Sequence, residues 1–326
     1  MLGRHTQVEP VTDEPQGLFT EAARVLNGLM ENKFIDWLKI TFAEQTRTNP
    51  GIGDDAAVFS TVDGMKQLAT SDCLVDGVHF QLASTSLDLI GRKCVASSIS
   101  DIAAMCGSPT YVIVSIVAPK SFRLDDLKLL YQGMALIADS YDCAIVGGDF
   151  VTHEGPLTIN ITLLGHAKHN NIRYRFGSRL GDRIFVSGAL GGSSHGSHLT
   201  FEPRIDLGLM LGRDPRVHAV TDITDGLVID LFSLLSSDGF GATLIKADIP
   251  ISKHLPHDHA AINAALYDGE DFELLFTASP DYAGNLQAQS SLVPITEIGY
   301  VTQNAEFLLT HETEETIQLD IYGYSH

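Results

Sequence analysis

Aspartates set beside glycine or small polar residues at six separated points constrain this chain more than any other feature. They occur in Gly53-Asp54-Asp55, Ser71-Asp72 with Asp76-Gly77, Ser100-Asp101, Gly147-Gly148-Asp149, Asp222-Ile223-Thr224-Asp225-Gly226 and Asp268-Gly269-Glu270-Asp271. Taken singly, each reads first as ordinary structure, because Asp-Gly makes turns and Asp caps helices. Asp225, for example, is placed to cap a helix starting at Leu227. Asp72 and Asp101 resist that reading. One ends an apolar run and the other sits among Ile99, Ile102, Ala103 and Ala104. A lone carboxylate in such company is costly to bury unless it is paired or bound to metal. Carboxylates are hard ligands suited to Mg²⁺, and glycine lets a backbone approach phosphate closely. The six together point to a multi-metal phosphate site assembled from both halves of the chain.

The charge balance narrows the partner. Against 41 acidic residues stand 21 Lys and Arg, a net charge of −20. No basic face for nucleic acid is expected from that balance, although metal ions could neutralise a site for an anionic nucleotide. With 326 residues, 44% of them hydrophobic, about two domains with sizeable cores are expected. Cys73, Cys94, Cys106 and Cys143 have no CxxC spacing and read as buried reduced thiols. No apolar run reaches the roughly 20 residues of a membrane span, and the first residues lack a signal-peptide core. A cytoplasmic protein with no membrane partner is expected.

Apolar periodicity places the clusters on elements. A loose extension covers residues 1–28, and Glu31 to Ile40 has helical spacing. Gln67 to Ser71 reads as a strand delivering Asp72. Leu87 to Met105 reads as a helix containing Asp101 and stopped by Gly107 and Pro109. Tyr111 to Ala118 reads as a buried strand. Leu124 to Tyr141 reads as an amphipathic helix with Leu124, Leu127, Tyr131, Met134, Ala138 and Tyr141 on its apolar face. Ala144 to Val146 reads as a strand ending at Gly147-Gly148-Asp149, where ligands of open α/β sheets bind. Leu157 to Leu163, Arg183 to Ser187, Val220 to Thr224 and Phe272 to Thr277 complete the strands. In the third of these, Asp222 and Thr224 would share one face. The alternation gives an α/β or α+β chain of two domains, divided near residues 166–178.

Missing motifs limit the chemistry. There is no Gly-Lys dipeptide and so no Walker A loop, and neither His-Arg-Asp nor Asp-Phe-Gly occurs. Phosphoryl transfer here would lean on metals. His79 reads either as a turn histidine or as a contact to a substrate phosphate. Arg173 and Arg175 read either as surface charges or as a phosphate clamp. The loop Gly188 to Gly196 could pack tightly or cradle phosphate.

The strings Gly51-Ile-Gly-Asp-Asp-Ala56, Thr70-Ser-Asp-Cys-Leu-Val-Asp-Gly-Val-His-Phe80, Ser100-Asp-Ile-Ala-Ala-Met-Cys-Gly107, Gly147-Gly-Asp149, Asp222-Ile-Thr-Asp-Gly-Leu227 and Gly269-Glu-Asp-Phe-Glu-Leu274 resemble those of thiamine-monophosphate kinases. These kinases belong to the superfamily of aminoimidazole ribonucleotide synthetase. The resemblance spans about residues 30–326. It implies an N-terminal sheet domain over 29–168 that dimerises through its sheet, and a C-terminal α/β domain over 169–326. It implies ATP as co-substrate, thiamine monophosphate as acceptor, several Mg²⁺ ions and a homodimer. By position, Asp55, Thr70, Ser71, Asp72, Asp101, Asp149, Asp222 and Asp225 match the metal ligands. Gly148, Asp149, Arg175 and Thr224 match the ATP contacts, and His79, Glu270 and Tyr324 the substrate contacts. No general base is implied, because the acceptor is already an ionised phosphate.

Three departures stand out: Phe150 replaces a usual Thr, Ser71 replaces a common Thr, and Asp268 replaces a small residue. Other ATP-using members of the superfamily fit less well. The first cysteine is Cys73, far from the N-terminus where selenophosphate synthetase needs one, and the chain ends in Tyr-Ser-His. A silent nucleotide-binding homologue would be favoured only by Phe150.

Overall fold

The computed structural model describes residues 33, 37–41, 53–60, 64–255, 259–285, 293–311 and 316–323. The extension over 1–28, most of the helix read at Glu31 to Ile40, and Tyr324 lie outside these residues, although Trp37 to Thr41 is helical.

Among the described residues the strands form two sheets. The first comprises β1 (Ala57–Ser60), β2 (Met65–Val75), β3 (Ser108–Pro119), β4 (Ala144–His153) and β5 (Thr158–Lys168), in the order β1-β2-β5-β3-β4. Its pairs are antiparallel except β3 with β4. Helices α1 (Leu87–Ala104) and α2 (Leu124–Ser140) supply the residues that bury one face. Leu68, Val112, Val114, Ile116, Ile159, Ile161 and Leu163 point into that layer. The alternate residues of β3 face outward, so Tyr111 is 49% exposed and Ile113 37%. The strand expected to be buried is therefore buried on one face only.

Helix α1 shows why this layer is rigid. It is apolar or small on most sides, the pattern of an interior helix. Its inner residues share a core with Val220, Leu211 and Phe276 of the second half. It crosses α2 at glycines: a Cβ on Gly91 would lie 2.0 Å from the Leu130 carbonyl oxygen. One on Gly133 would lie 1.8 Å from that of Asp88. The apolar face of α2 also differs from the expected stripe. Leu130, Met134, Ile137 and Ala138 are buried, whereas Leu124 is exposed.

The second sheet comprises β6 (Arg183–Ser187), β7 (Val217–Asp222), β8 (Gly241–Ile245), β9 (Leu274–Ala278), β10 (Ile295–Thr302), β11 (Phe307–Thr310) and β12 (Thr316–Gln318). Their order is β12-β11-β8-β10-β6-β9-β7. Helices α3 (Ile205–Arg213), α4 (Leu227–Ser236) and α5 (His259–Tyr267) belong to this half. Leu227, Leu231 and Leu234 of α4 and Ile262 and Leu266 of α5 bury against Ile184, Val186, Leu244, Leu275 and Ile298.

Four boundaries differ from expectation, each for a local reason. β4 does not stop at Gly147-Gly148-Asp149 but runs on to His153, since β3 pairs with it in parallel throughout. Gly148 is needed there because a Cβ would meet the Val114 carbonyl oxygen at 1.8 Å. β7 ends at Asp222, so Asp222 and Thr224 do not share a strand face. β9 begins at Leu274, because Glu270 and Phe272 take positive φ (55° and 52°). Finally, Asp225 does not cap α4. The cap is Gly226, and the carboxylate serving the turn is Asp230, which accepts the N–H groups of Thr224, Asp225 and Gly226 at 3.0, 3.0 and 3.1 Å.

Candidate active site

Helix α1 carries Lys93, Ser97, Ser100 and Asp101 on one face, spaced at helical intervals. β2 lies on one side of it and the loops after β7 and before β9 on the other. Thr70 and Asp72, two residues apart on β2, share the face toward α1. The Thr70 hydroxyl donates to Asp101 Oδ2, and the Ser98 hydroxyl donates to Asp72 Oδ2 at 2.5 Å. From the other half, the Asp222 carboxylate accepts the Ser100 hydroxyl at 2.5 Å. Asp55 arrives from the turn before β1 and accepts from Arg175 Nη2 at 2.5 Å and from Thr221 Oγ1 at 3.3 Å.

Asp55, Asp101 and Asp222 thereby each offer an oxygen within 4.8 Å of the others. Asp55 Oδ2, Asp222 Oδ1 and Arg175 Nε are buried and have no hydrogen-bond partner among the described residues. Such orphaned groups are costly when left without a ligand. Burial, then the Asp55 charge, pushes Asp222 up to about 8. Burial, then the charges of Asp72, Asp222 and Asp55, holds Asp101 well above its ordinary value. Burial raises Asp72 as well. Burial would lower Arg175, but the Asp55 charge reverses this and holds it above its usual value. The cluster is therefore short of positive charge, and its donors are all oxygens. That chemistry fits Mg²⁺.

A second grouping sits at the other end of the α1 face. The Lys93 side chain is 1% exposed, and its ammonium donates to Glu270 Oε1 and to the His79 carbonyl oxygen, both at 2.5 Å. The Glu270 N–H donates to the Thr224 carbonyl oxygen at 2.7 Å, and Phe272 N–H to that of Ile223 at 2.8 Å. This short ladder seats Glu270 beside the Thr224–Asp225 turn. His79 accepts the Val75 N–H at Nδ1, 3.1 Å away, which leaves the ring proton on Nε2.

The remaining expected residues divide. Ser71 points to the opposite face of the sheet from Thr70 and Asp72. There it contacts Asn160 Nδ2 at 3.2 Å and Thr162 Oγ1 at 3.3 Å. Asp149 pairs in register with Ser115, and Ser115 with Asn160, so Asp149 shares that outer face. Gly148 lies beside it. Arg173 is tied to the carbonyl oxygens of Val217, Asp214, Asn170 and Ile172, a structural role. Asp76 accepts the Leu82 N–H at 2.8 Å and fixes its own turn. Asp271 accepts the N–H groups of Gly191 and Gly192, so it anchors the glycine-rich loop. Lys93 and Asp230 were not read from the sequence. The helical spacing of Lys93 to Ser100 and Asp101 is the signal that points to it.

Comparison with known proteins identifies the family and the fold. The family model for AIR synthase related protein, N-terminal domain, matches residues 53–167. A thiamine-monophosphate kinase of Rhodopirellula baltica is 37% identical over 285 residues, 83% of this chain and 89% of its own length. That of Bacillus subtilis is 31% identical over 302 residues, 85% of this chain and 93% of its own. The solved structure of AaThiL complexed with AMPPCP and TMP superposes with a TM-score of 0.77 at 27% identity, covering 90% of this chain and 96% of that one. The chain belongs to the thiamine-monophosphate kinase family.

Proposed function

We propose that this protein transfers the γ-phosphoryl group of ATP to thiamine monophosphate, giving thiamine diphosphate and ADP. The observation that carries this reading is the convergence of Asp55, Asp101 and Asp222 with two buried carboxylate oxygens left without partners. These three, with Asp72 and the Thr70 hydroxyl beside them, would hold Mg²⁺. When bound, the metal would neutralise charge on the phosphates and on departing ADP. Asp225 would join this set from the turn that Asp230 clamps. Ser71 and Asp149 are assigned to metal on the family resemblance alone, and both lie on the sheet face opposite Thr70 and Asp72, apart from this cluster.

The chain's own residues do the positioning. Arg175 Nε is a buried donor with no hydrogen-bond partner among the described residues, suited to a phosphate oxygen of ATP. Thr224 and Gly148 are assigned to ATP as well. His79 and Glu270 are assigned to the acceptor, as is Tyr324, outside the described residues, on the family resemblance alone. Because the attacking group is an ionised phosphate oxygen, no general base is assigned, and transfer is direct and in line.

The outer face of the first sheet supports a homodimer. Tyr111, Ile113 and Val151 are exposed there, and β4 is an edge strand ten residues long, a surface that pairing would cover. Residues 29–168 and 169–326 are taken as the two domains. Dependence on ATP and the absence of a membrane-crossing helix among the described residues fit a cytoplasmic enzyme.

The test is incubation with ATP, Mg²⁺ and thiamine monophosphate, followed by separation of the thiamine esters. Thiamine diphosphate should form, and Asp72→Ala should abolish it. No product from the parent protein, or undiminished product from the variant, would overturn the assignment.

A further inference from the structure

We propose that Lys93 is a positioning residue for the acceptor. Its buried ammonium fixes the Glu270 carboxylate and the His79 turn in one arrangement and so sets the affinity for thiamine monophosphate. This rests on the assignment of His79 and Glu270 to the acceptor.

Stability does not account for a lysine at this place. Burying an ion pair is at best about neutral against well-packed apolar side chains of the same volume. The surrounding turns of α1 are Ile90, Cys94, Val95 and Ala96, all fully buried, and a methionine would fill the same space. What an ammonium does and a methionine cannot is select one orientation of a carboxylate.

The geometry places that selection where it matters. Glu270 takes a left-handed backbone, φ 55°, and its N–H is held by Thr224. Its side chain is then fixed at the far end by Lys93. Lys93 engages Oε1, and among the described residues no hydrogen bond engages Oε2. The Glu270 side chain is 16% exposed, so part of it is open to a ligand. The acceptor carries a cationic thiazolium ring, for which a held carboxylate oxygen is the complementary group. Through the His79 carbonyl, the same ammonium sets the turn whose imidazole proton lies on Nε2.

Facing this pair is His198, whose Nδ1 lies 2.7 Å from the Ser193 carbonyl oxygen. Burial, then the Lys93 charge, holds it below its ordinary value. The grouping thus joins one cation, one anion and an imidazole whose protonation burial and the Lys93 charge disfavour. Its partners come from two distant stretches of chain, 14 and 177 residues from Lys93.

Steady-state kinetics on the full-length protein decide the matter, using parent, Lys93→Met and Lys93→Arg, with each substrate varied in turn. Lys93→Met should raise KM for thiamine monophosphate by about tenfold or more, while KM for ATP stays within about twofold and kcat falls less than KM rises. Lys93→Arg keeps the charge and should give a smaller rise of the same selectivity. If Lys93→Met does not fold, the Lys93→Arg ratio of the two KM changes carries the decision. Equal changes in both KM values, or a parent-like KM for thiamine monophosphate, would sink the inference. A parent protein that makes no thiamine diphosphate would fail the functional assignment itself and this inference with it. A parent that makes it while the variants keep its KM fails the inference alone.

Discussion

At Ser100 and Asp101, helix α1 meets carboxylates with too few partners. At Lys93, about 11 Å away along the same helix, it meets a carboxylate already paired. The first end holds Asp55, Asp101 and Asp222 with two oxygens unsatisfied. The second holds Lys93 and Glu270 in direct contact. One end therefore has more carboxylate than positive charge, and the other has its carboxylate paired with an ammonium. In the proposed reaction this difference would separate two tasks on one helix, neutralising phosphate at one end and orienting the acceptor at the other.

Removing a charge from the carboxylate-rich end should have the largest effect on turnover. Asp222→Asn is expected to slow thiamine diphosphate formation by about 10²–10³-fold, the scale of losing one preorganised electrostatic element. In EDTA its melting temperature should not fall below that of the parent, because one crowded carboxylate is gone. A variant that is active, or that melts far lower in EDTA, would contradict the account of that end.

Arg175→Met tests the same end from the cation side. It strips Asp55 of its cationic partner and should destabilise the metal-free protein by about 3–5 kcal/mol. Mg²⁺ should restore part of this, as a divalent ion takes over the charge. Equal losses in EDTA and in Mg²⁺, read from chemical denaturation, would break the distinction between the two ends.

Gly133→Ala disturbs the helix that holds both ends. Its new Cβ would fall on the Asp88 carbonyl oxygen, and forcing atoms into a packed core costs about 1–3 kcal/mol. Because α1 must shift as a unit, KM should rise for ATP and for the acceptor together. That pattern contrasts with the selective one expected at Lys93.

The smallest effect concerns Asp271, outside both ends. Burial pushes its carboxyl up to about 7 despite the N–H groups of Gly191 and Gly192. A folded-state pKa above the unfolded one means stability that is present at low pH and lost as pH rises through about 7. Asp271→Asn cannot ionise, so its melting temperature should vary less than the parent's between about pH 5 and about pH 8. An unchanged slope would show that the group does not titrate there.

Much of this was readable from residue order. The apolar periodicities located β2, α1, α2, β5 and β6, and the oddity of Asp72 and Asp101 in apolar company marked the carboxylate end. What escaped lies in longer-range pairing. Gly147-Gly148 reads as a strand end, yet a parallel partner carries β4 past it. Asp225 reads as a cap, yet Asp230 acts from inside the helix four residues beyond the cap position. Alternation along β2 already turns Ser71 away from Thr70 and Asp72, although the three adjoin in the motif. Lys93 looks like a surface lysine until Glu270, 177 residues later, closes over it.

The glycine crossing of α1 and α2 bears on how such a protein can change. With backbone against backbone at Gly91 and Gly133, even the smallest added side chain moves the helix that spans both ends of the site. The exposed side of α2, with Leu124 and Leu136 in solvent, carries no such limit. Over many generations, substitutions can accumulate on that outer surface, while these two positions leave almost no viable neighbours in sequence space.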